Sequence, residues 1–322
     1  IDQDAAPDAW WDAVYSNAAI ITQRADGRAD LADTTAPATS SISSPHVAIE
    51  FLRLLDLAPH HRVLEIGTGT GWTAAMLSWR LGDDQVTTVE VDPGVAEAAE
   101  ANLKAAGFAP LLLVGDGALG APDGAPYDRV HVTCGVRDIP FAWVEQTRPG
   151  GSIVLPWMPP HGQWGHQVRL DVLDDGSAVG RIVGSCRYMM MRAQRRDAWP
   201  PYTDDGPSRP ARLDPREPWQ ALDDGFGLAL AAGAPHIAIT TAGWESGDGW
   251  SGWVMRLRDL VGDGWALVAM DDGGEMRVSQ SGDRPLWDAL ETLYFEWLRS
   301  GRPGPTEYRL IVRRRGQDVW LP

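Results

Sequence analysis

Cysteine is nearly absent from this chain of 322 residues, which has only Cys 2. Cys134 and Cys186 cannot build a disulfide framework or, by themselves, a thiolate zinc site, so both read as small residues packed in apolar surroundings. Basic residues are scarce relative to acidic ones, Lys+Arg 28 against Asp+Glu 44, for a formal net charge of -16. A uniformly acidic chain repels phosphate backbones, which argues against nucleic acid as a partner. The clusters Arg192 with Arg195-Arg196 and Arg313-Arg314-Arg315 are too short to reverse that. No apolar run approaches the roughly 18 residues that span a bilayer, and no basic-then-apolar leader follows Ile1. The expected setting is reducing and cytoplasmic, with no membrane. What remains is a globular composition, 44% hydrophobic and 22% charged with Gly 35 and Pro 24, in a length that suits two packed units.

The pattern along the chain divides it in three. Residues 1–40 hold a helix carrying Trp10, Trp11, Val14 and Tyr15, then an extended or mobile connector. From 45 to 57, Val47, Ile49, Phe51, Leu52, Leu54 and Leu55 have amphipathic helical spacing. Apolar runs at 62–66, 86–91, 111–114, 129–132 and 152–155 read as strands. Between them, 72–81, 95–106 and 141–146 read as helices, the second ending at Gly107. Near-continuous apolar strands alternating with helices predict a parallel sheet covered on both faces, a doubly wound, Rossmann-like α/β domain over 41–157. Pro156, Pro159 and Pro160 then break the chain. Residues 158–322 read as a smaller α+β accessory domain: a hairpin from 167–172 and 178–186, a Pro-rich stretch from 200 to 218, an apolar run at 236–240, a Trp/Gly-rich segment (Trp244, Trp250, Trp253), strands at 265–270 and 308–312, and a helix at 286–299.

The sharpest motif is Val63-Leu64-Glu65-Ile66-Gly67-Thr68-Gly69-Thr70-Gly71, a buried strand feeding a glycine turn that opens a helix. Glycine allows the tight turn and lets a ligand approach the backbone with no Cβ in the way. The dinucleotide fingerprint places its third glycine one residue later and uses the helix N-terminus for pyrophosphate. Here Gly71 comes early and Glu65 precedes the loop, which suits a cationic, phosphate-free ligand such as S-adenosylmethionine. Glu90 ends the next strand about 20 residues on, where a carboxylate accepts both ribose hydroxyls, with Val91 beside it. Asp116, in Gly115-Asp116-Gly117 after the third strand, is placed to accept from the adenine amino group. Asp92, before Pro93, reads as a helix cap. The expected cofactor residues are therefore Glu65, Gly67, Thr68, Gly69, Gly71, Glu90, Val91, Asp116 and Gly117, and S-adenosylhomocysteine is the expected product.

Together with that loop, Ser41-Ile42-Ser43-Ser44-Pro45-His46, Gly115-Asp116-Gly117, 125–132 (Ala-Pro-Tyr-Asp-Arg-Val-His-Val) and 148–156 (Arg-Pro-Gly-Gly-Ser-Ile-Val-Leu-Pro) resemble the protein L-isoaspartyl O-methyltransferase family over 40–157. The resemblance implies that the serine of the Ile-Ser-x-Pro-His element, Ser43, lies at the substrate carboxylate. Methyl transfer to an ionised carboxylate needs alignment and desolvation rather than a strong base. Neutral donors suit it, and Ser43, assisted by Ser44 or Thr68, fits. A helix cap before Pro45 is the plainer reading of Ser43 and does not exclude substrate contact, and His46 either polarises the site or packs structurally.

The close of the chain, Trp297-Leu298-Arg299-Ser300-Gly301-Arg302-Pro303 through Val319-Trp320-Leu321, resembles the C-terminal domain of isoaspartyl-methyltransferase homologues found with lanthipeptides and ATP-grasp-ligated peptides. That likeness implies esterification of an ordinary Asp in a modified, macrocyclic precursor peptide, giving succinimide or isoaspartate. The alternatives are repair of isoaspartyl proteins and a peptide-binding module without catalysis. His161 and His166 lack a third ligand at metal-site spacing, so no metal is expected, and Gly247-Asp248-Gly249 reads as a turn.

Overall fold

The computed structural model describes residues 3–161, 165–196, 208–245, 251–271 and 273–322. Gly247-Asp248-Gly249, Trp250 and part of the Pro-rich stretch lie outside them. Among the described residues no helix is long and apolar enough to cross a membrane.

Helix α1 (Pro7–Val14) precedes an antiparallel hairpin, β1 (Ile20–Arg24) with β2 (Ala38–Ile42), so the expected connector is an ordered ribbon. Helix α2 (Pro45–Leu55) buries Ala48, Phe51 and Leu55, a single stripe at helical spacing. Complete burial of Phe51 and Leu55 contributes about 2 kcal/mol each. There follow β3 (Val63–Ile66), α3 (Trp72–Leu81), β4 (Val86–Glu90), α4 (Pro93–Ala105), β5 (Leu111–Val114), β6 (Tyr127–Val132), α5 (Phe141–Glu145) and β7 (Thr147–Trp157). Asp92 caps α4, accepting from the N–H groups of Gly94 and Val95 at 3.0 and 3.2 Å. The strands pair in parallel in the order β7-β6-β3-β4-β5. The chain reverses its direction of growth at β3, so a crevice opens between the carboxyl ends of β3 and β6.

Strand side chains alternate between two cores. Val63, Val86 and Val154 pack with Phe51, Leu55 and Leu77, on the face covered by α2 and α3. Leu64, Ile66, Val130, Val132, Ile153 and Leu155 pack on the other face with Trp143. The doubly wound α/β fold is thus present, but its sheet does not stop at residue 157. β8 (Gly165–Val172) pairs antiparallel with β7, β9 (Ala178–Cys186) with β8, β15 (Arg309–Arg313) with β9, and β16 (Gly316–Trp320) with β15. The expected boundary between 157 and 158 therefore falls inside a 9-stranded mixed sheet. The physical reason is the open edge of β7: pairing it satisfies that row of backbone groups and buries Val168, Leu170, Ala178 and Ile182 in the main core.

The part with its own sheet is the insertion between β9 and β15. It comprises β10 (Ser208–Pro210), α6 (Arg216–Ala221), α7 (Gly227–Gly233), β11 (Ile237–Glu245), β12 (Ser251–Asp259), β13 (Trp265–Asp271), β14 (Met276–Ser281) and α8 (Leu286–Arg299). Its strands run in the order β10-β14-β13-β12-β11. Helix α8 buries Leu286, Trp287, Leu290, Tyr294 and Trp297 in its core, so Trp287 and Trp297 are structural rather than available to dock a peptide. The Trp/Gly-rich segment contributes to a strand pair, β11 with β12.

His161 joins the two parts: its Nε2 hydrogen-bonds the Gly227 carbonyl at the start of α7. Burial pushes both His161 and His166 down to about 4 from 6.5. A neutral imidazole in the fold and a protonated one in the unfolded chain mean that stability is full above about pH 6.5. It falls as the pH drops from there toward 4, by on the order of 3 kcal/mol per imidazole. Urea midpoints measured between pH 7.5 and about 4.5 are expected to decline, and His166→Gln to flatten the decline; an unchanged slope in that variant contradicts the assignment.

Candidate active site

The crevice at the switch point is a cavity of about 870 Å³. Three walls meet there. The first is the bend after β3, where Gly67, Gly69 and Gly71 all take positive φ, +94°, +56° and +84°. These angles strain any residue with a Cβ, and a Cβ on Gly67 would stand 2.6 Å from the Thr133 Oγ1. Gly71 has a different task. Its missing Cβ lets α3 approach α4, since one there would meet Leu103 Cγ at 3.0 Å, and it does not line the cavity.

The bend is not a phosphate cradle. The N–H of Gly67 is donated to the Val89 carbonyl, that of Gly69 to Glu90 and that of Gly71 to the Thr68 carbonyl. A loop that holds phosphate aims such groups at its ligand; here they are engaged within the fold.

The second wall is acidic. Glu90, at the end of β4, accepts from the N–H of Gly69 at 2.9 Å and from that of Asp92 at 3.1 Å, one on each carboxylate oxygen. The carboxylate is thereby fixed in the cavity lining beside Val91. Asp116 lines it too, its Oδ1 accepting from the Ala118 N–H at 2.9 Å, and Gly117 leaves room where a Cβ would meet Ile66 at 2.7 Å.

The third wall carries hydroxyls: Ser40, Ser41, Ser43 and Ser44, from β2 and the turn into α2. Ser44, not Ser43, is the N-cap residue of α2, and it makes no side-chain cap bond. Ser43 lines the cavity wall, its side chain hydrogen-bonded to Tyr188 of the same lining.

Besides Gly71, two expected site residues stand outside the cavity lining. His46 points away: its backbone N–H donates to Asn17 Oδ1, and its exposed imidazole lies 3.3 Å from Glu50. One helical turn sets that i, i+4 pair, and His46 is not among the lining residues. Glu65 is wholly buried beneath the bend, facing α2 rather than the cavity, because strand alternation puts it on the same side as Val63.

Sequence reasoning missed the roof. After β9, residues 187–195 cross the cavity; Gly135 donates to the Met189 carbonyl at 2.7 Å and Met191 to that of Gly135 at 2.8 Å. Arg192 reaches Asp92 at 2.9 Å and Asp26 at 3.2 Å, and Arg195 reaches Asp26 at 2.6 Å. The Arg192 contact, with Gln23 also bonded to it, holds Asp92 at about 2 despite partial burial. The Arg cluster therefore ties roof, hairpin and α4 together. Its signal in the sequence was its isolation in an acidic chain. Cys134 also lines the cavity, its thiol pushed up to about 12 by burial and by the nearby Glu90 charge.

Known proteins resemble this chain in sequence and in fold. The family model for protein-L-isoaspartate(D-aspartate) O-methyltransferase matches residues 9–196. The chain is 40% identical over 154 residues to the protein-L-isoaspartate O-methyltransferase of Methanopyrus kandleri, covering 46% of this chain and 66% of that protein. It is 39% identical over 142 residues to that of Pyrococcus horikoshii, covering 44% and 64%. The matches thus span just under two thirds of these relatives' length. A solved structure titled protein-L-isoaspartate O-methyltransferase shares the fold, with a TM-score of 0.54 at 21% identity, over 96% of this chain and 88% of that one. The chain belongs to the protein-L-isoaspartate(D-aspartate) O-methyltransferase family.

Proposed function

We propose that this chain is an S-adenosylmethionine-dependent carboxyl O-methyltransferase acting on isoaspartyl residues of proteins or peptides. The observation that carries the reading is one cavity lined by the glycine bend, the oriented Glu90 carboxylate and the Ser43 wall. These residues fit an adenosyl sulfonium: the bend is a cradle that a Cβ would fill, the acceptors are acidic, and the glycine N–H groups offer nothing to a phosphate. When bound, the donor supplies an electrophilic methyl group. Glu90 holds the ribose hydroxyls and Asp116 the adenine edge. Ser43 donates to the acceptor carboxylate and orients it, without the strong charge pairing that would quench its nucleophilicity. The roof and the hairpin exclude water. The free cysteines, Cys134 and Cys186, suit a reducing, cytoplasmic compartment.

The finer reading, esterification of an ordinary Asp in a macrocyclic precursor peptide, leans on the size of the C-terminal part. A solved structure bearing the isoaspartate methyltransferase title matches 96% of this chain in fold. The extra part is therefore no argument for peptide tailoring by its size alone, and with the family model named for isoaspartate, isoaspartyl substrates become the first expectation.

Three outcomes follow. Glu90→Ala weakens S-adenosylhomocysteine binding on the order of a hundredfold by calorimetry, the value of two charge-assisted hydrogen bonds. Ser43→Ala lowers methyl transfer about a hundredfold with cofactor binding preserved; equal losses in both remove Ser43 from the substrate side. Offered an isoaspartyl peptide, its Asp counterpart and a macrocyclic Asp peptide, the enzyme adds one methyl mass to the first. Methyl gain or water loss only in the macrocycle favours the tailoring reading, and no donor binding at all favours the inactive module.

A further inference from the structure

The roof is a strap with unlike ends. In the sheet order β6-β3-β4, Gly135 follows β6, the glycine bend follows β3 and Asp92 follows β4. A strap that joins Gly135 to Asp92 therefore crosses the end of β3. On the β6 side it is held by neutral bonds. Two are main-chain bonds with Gly135, and Gln194 Oε1 accepts from the N–H groups of Arg137 and Asp138 at 2.8 and 3.0 Å. On the β4 side and at the hairpin it is held by charge. Arg192 Nη2 stands 2.9 Å from Asp92 Oδ2 and 3.2 Å from Asp26 Oδ1, and Arg195 Nη1 stands 2.6 Å from the same Asp26 oxygen.

The charged side is the weaker one. Gly135 and Met191, at the neutral side, are buried. The side chains of Arg192, Arg195 and Asp26 each keep about a quarter to a third of their surface exposed, so water and salt compete for these pairs. Arg192 Nε is buried with no hydrogen-bond partner, and a buried unpaired donor costs free energy that water returns once the side chain swings out. Asp26 also holds a left-handed φ of +54°, after Ala25 at +46°, backbone that residues with a Cβ adopt at a cost.

We propose that Arg192 and Arg195 form an ionic latch on the roof, and that its opening sets the rate at which the nucleoside ligand enters and leaves the cavity. The inference rests on the adenosyl-donor reading above and deepens it, from what the cavity holds to how it lets go. Asp92 donates its N–H to Glu90 Oε1 at 3.1 Å, so one stretch of backbone sets both the anchor of the latch and the carboxylate that takes the ribose. A ligand on Glu90 steadies Asp92 and with it the closed strap. By reciprocity, a latched strap holds the ligand longer.

The test reads the roof with and without ligand. Hydrogen exchange of the Met191 amide, which donates to the Gly135 carbonyl at 2.8 Å, reports lifting of the strap in the ligand-free protein. Stopped-flow dissociation of S-adenosylhomocysteine reports release. In the wild type both rates are expected to rise as salt goes from about 0.05 to about 0.5 M and the charges are screened. Arg192→Gln raises both about tenfold at low salt, the value of one hydrogen bond to a charged group, and removes most of the salt dependence. Arg192→Lys keeps the charge and restores most of the slow release. Arg277→Gln, which breaks an exposed pair with Glu275, leaves both rates unchanged. Should Arg192→Gln not fold, Arg195→Gln carries the same comparison. Wild-type rates in Arg192→Gln, or an equal rise in Arg277→Gln, overturn the latch. Salt-dependent exchange of Met191 in a protein that binds no S-adenosylhomocysteine upholds the latch and overturns the donor reading beneath it.

Discussion

The site depends on a sharp reversal of the backbone at the carboxyl end of β3. Three positive φ angles at Gly67, Gly69 and Gly71 turn a fully buried strand into α3 within a few residues. The turn brings the Gly69 N–H to Glu90 on the neighbouring strand. It also leaves Gly67 lying against Thr133, whose hydroxyl lies between the Ile66 and Gly67 carbonyls with its one proton shared between them. Three strand ends are thereby locked at one level. Every wall of the cavity is positioned from that junction: the carboxylate wall follows β4, the roof pairs with the segment after β6, and the hydroxyl wall packs across the opening.

This junction also sets the charge of the cavity wall. In a phosphate-binding turn, backbone N–H groups and the helix dipole face the ligand. Here the glycine N–H groups are used within the protein, and the nearby side chains include Glu90 and Asp116. In this doubly wound sheet the three glycine N–H groups are turned inward and acidic groups stand in the cavity wall, the arrangement from which the proposed cationic ligand is argued. Fold alone does not choose between these chemistries; the direction of individual hydrogen bonds does.

Much of this was legible in the sequence because it is local. α3 and α8 span the residues that their apolar spacing predicts, 72–81 and 286–299. Gly67, Thr68, Gly69, Glu90, Val91, Asp116, Gly117, Ser43 and Ser44 all reach one cavity. The failures are non-local. β15 pairs with β9 although more than a hundred residues separate them, and no period in either strand announces its partner, so the main sheet was cut short at 157. Glu65 sits in a strand buried on both faces, where polarity gives no cue to which side a residue faces; it lies beneath the bend, outside the cavity lining. The roof was missed because Arg192 and Arg195 were weighed as a surface patch, whereas their partners, Asp26 and Asp92, come from distant parts of the chain.

The most direct test of the account is a crystal structure of the protein grown with S-adenosylhomocysteine. The account predicts density in the cavity after β3, with the ribose hydroxyls on Glu90 and the adenine edge at Asp116. Density elsewhere, or an empty cavity in crystals of a protein shown to be folded, contradicts it.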